Sequence, residues 1–147
     1  MTPRFHVKIL IKMDVQTKTV FGMKVKEIME RLDEKQRKTV TRCSENCGIL
    51  DLEAEIETEV DEELVKFLKA ISNPLRLRIL KMLRDKWLCV CVISAALEQD
   101  QTLISHHLRT LRSMNLIESR KEGKMHFYKT NREVLENYLK RVSTELL

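Results

Sequence analysis

The chain has 147 residues, of which 43% are hydrophobic, 33% charged and 5% aromatic, and it contains only three glycines and two prolines. Its length fits one compact domain with or without an appendage, and its composition favours a helix-rich globular protein over a disordered or fibrous chain or a β-sandwich. An excess of 27 Lys and Arg over 22 Asp and Glu gives a net charge of +5, which predicts an anionic partner of unspecified kind.

The charge is unevenly distributed along the chain. Residues 1–48 carry 11 basic and 6 acidic side chains, residues 49–71 carry 2 and 8, and residues 72–147 carry 14 and 8. Two basic regions separated by an acidic one are typical of nucleic-acid-binding proteins. We therefore expect an N-terminal extension over residues 1–48, an acidic connector over 49–60 and a basic domain after it.

No segment of the N-terminal region has the properties of a membrane span or a signal peptide. The apolar run over residues 7–11 is interrupted by Lys8 and is far shorter than the roughly 20 residues that cross a bilayer. We expect a cytoplasmic protein without a membrane partner. In that reducing compartment, the four cysteines would be metal ligands or redox-active thiols before structural disulfides.

The predicted elements of the N-terminal half begin with a strand over residues 5–11, where apolar and polar side chains alternate. An amphipathic helix is expected over residues 24–38, because apolar residues recur there at helical spacing. Residues 42–48 are expected to interrupt it. Residues 49–60 fit either a strand or a helical face, and a further helix is expected from about Asp61.

Helix boundaries are better defined in the C-terminal half. Asn73 can cap a helix over residues 74–84 that has proline at its first position. A short helix should end near Glu98, and Asp100 can cap a longer helix over residues 101–114. Two short helices joined by a brief polar turn predict a helix-turn-helix.

A β-hairpin and a last helix complete the predicted elements. Residues 116–120 and 125–129 flank a four-residue turn that contains Gly123, and Asn131 can cap the helix that follows. That helix carries an apolar stripe wide enough to be buried, either against its own domain or against a second subunit. The stripe consists of Val134, Leu135, Tyr138, Leu139 and Val142.

A helix-turn-helix followed by a basic hairpin makes a winged helix-turn-helix, so we predict a mainly α protein with a β-hairpin wing. On the second helix, a step of about 100° per residue turns Ile104, His107, Leu108 and Leu111 to one side and polar or cationic residues to the other, so His107 is interpreted as a core histidine and not as a ligand. A helix in the major groove needs such a polar face, although a solvated helix would also have one. The sequence contains no phosphate-binding glycine loop or nucleophile elbow, which argues against an enzyme.

Four segments of the chain resemble the ArsR/SmtB family of metal-responsive repressors. They are LISHHLRTLR at residues 103–112, RKEGK at 120–124, ISNPLRLRIL at 71–80 and LCVCV at 88–92. The resemblance implies a dimer whose winged helix-turn-helix and dimerisation domain covers residues 61–147. Such a dimer binds a pseudo-palindromic operator in double-stranded DNA and releases it when a metal or metalloid occupies the regulatory site.

The resemblance also assigns contacts with DNA. The polar face of the second helix of the helix-turn-helix, the reading helix, would contact base edges or adjacent phosphates. The hairpin wing would lie on phosphates or in the minor groove. The residues so assigned are Gln101, Thr102, Ser105, His106, Arg109 and Arg112 on the helix and Arg120, Lys121 and Lys124 on the wing. The apolar stripe of the last helix would then serve dimerisation.

The four cysteines form two pairs with different spacing. Cys43 and Cys47 would share one side of a helical turn, whereas Cys89 and Cys91 could converge on one ion only near a helix end. Two plus two thiolates can form a tetrahedral site for Zn(II), Cd(II) or a related soft ion. Small buried hydrophobic side chains or a thiol–disulfide switch are the alternatives.

The N-terminal pair is similar to that of the cadmium/lead-responsive branch of the family, in which it joins the second pair across the dimer interface. This resemblance implies Cd(II), Pb(II) or Zn(II) as inducer, with no metal required for folding of the winged-helix core. The arsenic-responsive branch has a third cysteine where this chain has Ser94, yet arsenite could use three of the four thiols. A redox-responsive repressor and a helical protein-interaction module without DNA binding are the remaining alternatives.

Overall fold

The computed structural model describes residues 22–147, so the strand predicted over residues 5–11 lies outside the described part of the chain. The chain forms two compact units, whose boundary falls between Glu59 and Val60. Among the described residues, no helix has the length and hydropathy of a membrane span.

The first unit holds a two-stranded antiparallel sheet and two helices among its described residues. Strand β1 (Met23–Lys24) pairs with β2 (Glu55–Ile56), and helix α1 (Val25–Ile28) continues into a 3-10 turn (Met29–Arg31). Helix α2 covers Glu34–Cys47 and has 14 residues. The other elements of this unit have two to four residues each.

Local hydrogen bonds hold the first unit together. The Val25 amide donates to the Ala54 carbonyl at 3.0 Å, which joins α1 to the segment before β2. The Arg37 guanidinium donates to three carbonyls between Met29 and Leu32 at 3.2 to 3.3 Å, which fastens the start of α2 to the 3-10 turn. Val25 and Met29 are buried, whereas no side chain of α2 is buried.

The helix predicted over residues 24–38 is wrong in its boundaries. The helix breaks at Asp33, whose carboxylate accepts the Gln36 amide at 2.7 Å while the Gln36 side chain accepts the Asp33 amide at 3.2 Å. This reciprocal capping box starts a new helix. The new helix runs through most of residues 42–48, where we expected an interruption, because it contains no glycine or proline before Gly48. That glycine ends α2 with a left-handed φ of 62°.

The second unit contains five helices and three strands. Three of its helices begin at the expected cap residues Asn73, Asp100 and Asn131, and a fourth begins after Asp61, near which a helix was expected. Each of these four side chains accepts a backbone amide of the first turn. A cap of this kind contributes about 1 kcal/mol. In chain order the elements are α3 (Glu62–Ile71), α4 (Pro74–Met82), β3 (Leu88–Cys89), α5 (Val90–Leu97), α6 (Gln101–Ser113), β4 (Ile117–Glu122), β5 (Met125–Thr130) and α7 (Arg132–Leu146).

The three strands form one antiparallel sheet in the order β3, β5, β4. In the hairpin, Ile117 pairs with Thr130 and Glu122 pairs with Met125, which leaves a loop of two residues. Gly123 in this loop has a φ of 60°, a conformation that favours glycine. The loop is therefore shorter than the four residues predicted. Strand β3 is absent from the predicted elements, because two residues carry no readable alternation.

One hydrophobic core fills the second unit. Tyr138 of α7 stacks on Phe67 of α3 with ring centroids 4.5 Å apart. The Thr130 hydroxyl donates to the Leu80 carbonyl at 3.1 Å, which fastens the end of the hairpin to α4. The largest fully buried side chains are Phe67, Ile79, Leu83, Ile93, Ile104, Leu108, Leu111 and Leu116. Because α6 supplies three of them, the core fixes the face that this helix presents to solvent.

Candidate nucleic-acid interface and thiol pairs

Helix α6 has a buried face and an exposed polar face. Ile104, His107, Leu108 and Leu111 are buried, as the helical spacing predicts for all four. Leu103 is the apolar residue of this helix with the largest exposure, at 39%. Of the side chains expected to contact DNA, Ser105 is half-buried and the exposed ones are Gln101, Thr102, His106, Arg109 and Arg112. A helix with this polar face can present hydrogen-bonding groups to a major groove.

Ser94 holds the turn between α5 and α6, a role that sequence reasoning did not identify. Its buried hydroxyl donates to the Gln99 carbonyl, and the Gln99 amide donates to the Ser94 carbonyl at 3.1 Å. Glu98 adopts a left-handed φ of 52° within this turn. Asp100 then caps α6 by accepting the Thr102 amide at 2.7 Å. Together these bonds set the direction in which α6 leaves the turn.

The hairpin presents its basic side chains around its two-residue loop. Arg120, Lys121 and Lys124 are all exposed. The Arg120 guanidinium forms an ion pair with the Glu122 carboxylate at 2.5 Å, so part of its charge is already neutralised. Lys121 and Lys124 form no ion pair with any residue in the described part of the chain. Of these three side chains, the two lysines are therefore better suited than Arg120 to bind phosphate.

Cys43 and Cys47 lie together on the last turn of α2. Their Sγ atoms are 3.4 Å apart, both side chains are exposed, and the Cys47 thiol donates to the Cys43 carbonyl at 2.7 Å. Hydrogen bonds from the Ile49 backbone and from Cys43 lower the pKa of Cys47, whereas the bond to Cys47 raises the pKa of Cys43. Metal–sulfur bonds of about 2.3 Å in a tetrahedron place sulfur atoms about 3.8 Å apart. The pair therefore fits two ligand positions of a soft metal ion.

Cys89 and Cys91 differ in their surroundings at the start of α5. Cys89 pairs with Phe127 across the sheet and is buried, whereas Cys91 is exposed. The Cys91 Sγ lies 3.9 Å from Gln101 Oε1, on the first residue of α6. Within residues 22–147, no three Cys, His, Asp or Glu side chains are grouped to hold a metal ion. A site made from all four thiolates stays a prediction that involves a second subunit.

The apolar stripe of α7 is partly used by its own domain. Tyr138 is buried, and its hydroxyl donates to the Glu63 carboxylate at 2.8 Å. The half-buried members, which pack against the same core, are Val134, Leu135 and Val142. Leu139 is 49% exposed. Of the five residues expected at a dimer interface, Tyr138 therefore has little surface left for a second subunit, whereas Leu139 has the most.

An ion-pair cluster joins α7 to the start of α3. The Arg141 guanidinium donates to the Glu63 carboxylate at 3.0 Å, pairs with the Asp61 carboxylate and lies 5.2 Å from the centroid of the Tyr138 ring. Hydrogen bonds from Tyr138 and Arg141 lower the pKa of Glu63. Burial raises the pKa of Asp61, but hydrogen bonds from Arg141 and from the Glu63 amide outweigh it, so this pKa is also lowered. The cluster is therefore favoured when both carboxylates are ionised.

Residues 73–119 match the family described as bacterial regulatory protein, arsR family. The arsenical resistance operon repressor of Staphylococcus xylosus is 37% identical over 75 residues, which make up 51% of this chain and 72% of that protein. The cadmium resistance transcriptional regulatory protein CadC homolog of Staphylococcus aureus is 35% identical over 72 residues, 48% of this chain and 60% of that protein. The chain thus spans less than two thirds of the second relative.

A solved structure has a related fold. The ArsR-like transcriptional regulator from Rhodococcus sp. RHA1 is 26% identical and superposes with a TM-score of 0.51 over 57% of this chain and 82% of its own. The mainly α fold with a hairpin wing, predicted as a winged helix-turn-helix, is confirmed. The expectation that the protein is not an enzyme is confirmed as well, because its relatives are transcriptional regulators. This chain belongs to the arsR family of bacterial regulatory proteins.

Proposed function

We propose that this protein is a transcriptional repressor whose binding to an operator in double-stranded DNA is released by a thiophilic metal ion held by cysteine thiolates. The observation that carries the proposal is the exposed polar face of α6, which belongs to the helix-turn-helix of an arsR-family fold. The core holds this helix by its opposite face, so the polar side chains are free to meet base edges.

The residues proposed to contact DNA divide into two groups by what they recognise. Arg109 and its neighbours on α6 would read base edges in the major groove, which discriminates between sequences. Lys121 and Lys124 would bind phosphates, which gives salt-dependent affinity for any sequence. The other proposed contacts are Gln101, Thr102, Ser105, His106 and Arg112 on α6 and Arg120 on the hairpin.

Cys43 and Cys47 would supply one half of the metal site. Their Sγ separation of 3.4 Å and their exposure allow ligation by both thiols. The lowered pKa of Cys47 favours the thiolate that soft metals bind. Cys89 and Cys91 of a second subunit would supply the other half. Bound there, Cd(II), Pb(II) or Zn(II) would link two subunits through thiolate coordination.

Cadmium is preferred over arsenite as the inducer. The chain is similar both to a cadmium resistance regulator and to an arsenical resistance repressor. Ser94 stands where the arsenic-responsive branch has its third cysteine, and its hydroxyl is used to hold the turn before α6. The exposed pair on α2 supports the four-thiolate arrangement of the cadmium/lead-responsive branch.

A homodimer is part of the proposal. Leu139 and its half-buried neighbours on α7 offer an apolar surface to a second copy of the chain. Those neighbours are Val134, Leu135 and Val142. A two-fold symmetric dimer would place two α6 helices in major grooves about 34 Å apart, which accounts for a pseudo-palindromic operator.

A mobility-shift titration tests DNA binding. The probe is duplex DNA from directly upstream of the protein's own coding sequence, and the control is a scrambled duplex of equal length. We expect a salt-sensitive shift that prefers the upstream DNA. Equal binding to both duplexes would refute sequence-specific binding, and no binding to either would favour a protein-interaction module.

The same titration with added metals tests sensing. Cd(II) should weaken binding of the upstream duplex, and Cys43→Ser should abolish that response, whereas Thr39→Ala on the same helix should not. Linkage requires that the DNA weakens Cd(II) binding by the factor by which Cd(II) weakens DNA binding. If Cd(II) does not change the affinity for DNA and DNA does not change the affinity for Cd(II), metal sensing is refuted. DNA binding itself would not be refuted by that result. Parallel titrations with Pb(II), Zn(II) and arsenite establish which ion acts.

Oxidation is the second candidate trigger, because the Sγ atoms of Cys43 and Cys47 lie only 3.4 Å apart and are exposed. In a redox switch, a two-electron oxidant would convert the two thiols into a disulfide with loss of two protons. A titration arm with an oxidant, reversed by dithiothreitol, distinguishes this trigger. If the oxidant releases the upstream duplex and no metal does so, the cysteines are assigned to redox sensing.

A further inference from the structure

Arg76 of α4 links three helices of the second unit. Its Nε donates to the Ala70 carbonyl at 2.5 Å, and its Nη2 donates to the Lys69 carbonyl at 3.2 Å. Both carbonyls lie in the last turn of α3, where a helix leaves its carbonyls without partners of its own. The guanidinium therefore caps α3, and its positive charge is favourable at that end of the helix dipole.

The third nitrogen of the same guanidinium contacts α6. Arg76 Nη1 lies 3.3 Å from His107 Nδ1. Because a guanidinium has only donors, Nδ1 accepts this hydrogen bond, and the neutral imidazole carries its proton on Nε2. Burial, the charge of Arg76 and the neighbouring His106 all lower the pKa of His107. These influences favour the neutral ring that the contact requires.

His107 is the polar side chain on the buried face of α6, where it is 8% exposed. The apolar neighbours on that face hold the helix in the core, but hydrophobic burial has no preferred direction. A charge-assisted hydrogen bond from a planar guanidinium does have one. The contact with Arg76 therefore restricts rotation of α6 about its axis and sliding along it.

This restraint bears on DNA binding because the two faces of one helix move together. His106 and Arg109 are exposed on α6, one residue before and two residues after His107. A rotation that displaces His107 also displaces these side chains. Hydrogen bonds to base edges depend steeply on distance and angle, so a small displacement weakens them.

We infer that Arg76 and His107 are positioning residues for DNA recognition: their contact holds α6 against the corner of α3 and α4 in the orientation that sequence-specific binding requires. The inference rests on the proposed DNA-binding function. His107 is buried and the Arg76 guanidinium is engaged by two carbonyls of α3 and by His107, so both act through the exposed face of α6 and not by contacting DNA themselves.

Three substitutions and a matched control test the inference on the upstream and scrambled duplexes. Arg76→Gln and His107→Leu should each lower affinity for the upstream duplex about tenfold. Affinity for the scrambled duplex and its salt dependence should stay unchanged, since no phosphate contact is lost. His107→Asn should recover most of the affinity, because its Oδ1 can accept from Arg76 in place of Nδ1. Arg78→Gln, at an exposed arginine of the same helix, should have no effect.

The double variant sharpens this test. If Arg76 and His107 act through one contact, Arg76→Gln combined with His107→Leu should lose no more affinity than either change alone. Additive losses would show two independent roles and overturn the inference. Equal losses on both duplexes would overturn it as well, because they would show that specificity does not depend on this contact.

Amide hydrogen exchange separates this inference from the proposed function, because it is measured without DNA. Arg76→Gln should increase exchange in α6 and in the last turn of α3 but not in the hairpin, and Arg78→Gln should change neither. Unchanged exchange in α6, or a uniform increase in every element, would overturn the inference even if the protein binds DNA specifically. Equal binding of both duplexes by the unmodified protein would instead refute the proposed function.

Discussion

Helices α6 and α2 have similar lengths, 13 and 14 residues, but they are held in different ways. Helix α6 buries four side chains in the core of its unit, whereas α2 buries none and begins at a capping box on Asp33. A helix held by a core keeps one orientation, while a helix held by local polar bonds opens at lower cost. The difference is compatible with the proposed function, in which α6 would read DNA and the cysteines of α2 would bind the inducer.

Phe67→Ala should have the largest effect, because it removes part of the core that holds α6. Phe67 is fully buried and stacked on Tyr138, so we expect a loss of about 3–5 kcal/mol in the free energy of unfolding. Val40→Ala, at a half-buried position of α2, should cost less than about 1 kcal/mol. Denaturant titrations followed by circular dichroism measure both, and similar losses would remove the contrast between the two helices.

Arg109→Ala and Lys124→Ala should affect DNA binding in different ways. Arg109 lies on the core-held helix, so its loss should reduce discrimination between sequences by about 1–3 kcal/mol. Lys124 lies on the hairpin loop, so its loss should weaken binding to all duplexes and lower the salt slope by about 1. Affinities for matched and scrambled duplexes over a range of salt concentrations check this. If both substitutions change only non-specific affinity, α6 is not the reading helix.

Asp33→Ala should loosen α2 and leave α6 unchanged. It removes the acceptor of the Gln36 amide, which should cost about 1 kcal/mol of helix stability and raise amide exchange in α2 about fivefold. Glu45→Ala, at an exposed acidic residue of the same helix, is the control. Unchanged exchange in α2 would show that the capping box does not hold this helix.

Glu63→Gln should have the smallest effect on the free energy of unfolding, and this effect should be present only at neutral pH. The pKa of Glu63 is lowered in the folded protein, so its contribution to stability is present above the ordinary value of 4.5 and is lost as the pH falls through the lowered value. The variant should therefore lose less stability on acidification than the unmodified protein. The difference should stay below about 1 kcal/mol, because the carboxylate is partly exposed.

Unfolding titrations at about pH 7 and about pH 3 check this prediction. Glu62→Gln is the matched control, because Glu62 is an exposed neighbour on the same helix and takes no part in the ion-pair cluster around Arg141. If Glu62→Gln and Glu63→Gln change the pH dependence equally, the cluster does not stabilise the contact between α3 and α7.

The helix starts of the second unit could be predicted because their signals lie within a few residues of each other. Asp61, Asn73, Asp100 and Asn131 each accept an amide two or three residues further along. Such a bond does not depend on the rest of the chain. The polar face of α6 follows in the same way from the helical period.

The N-terminal half gave a less reliable prediction, because its local signals compete. The apolar repeat that ends at Leu32 is followed by good helix formers, which predicts one continuous helix, but the capping box of Asp33 with Gln36 breaks the helix there. Strand β3 could not be predicted for another reason. Leu88 and Cys89 form a strand because β5 pairs with them, and β5 lies far along the chain.

Spacing and short-range hydrogen bonds are sufficient to specify the winged helix-turn-helix, the polar face of α6 and the pairing of Cys43 with Cys47 on one helical turn. Folding of the whole unit settles that Cys89 is buried and Cys91 exposed, and that Tyr138 packs within its own domain. It also brings Arg76 to His107, 31 residues away. These outcomes depend on close packing between side chains of separate elements, and a local pattern carries no information about which elements meet.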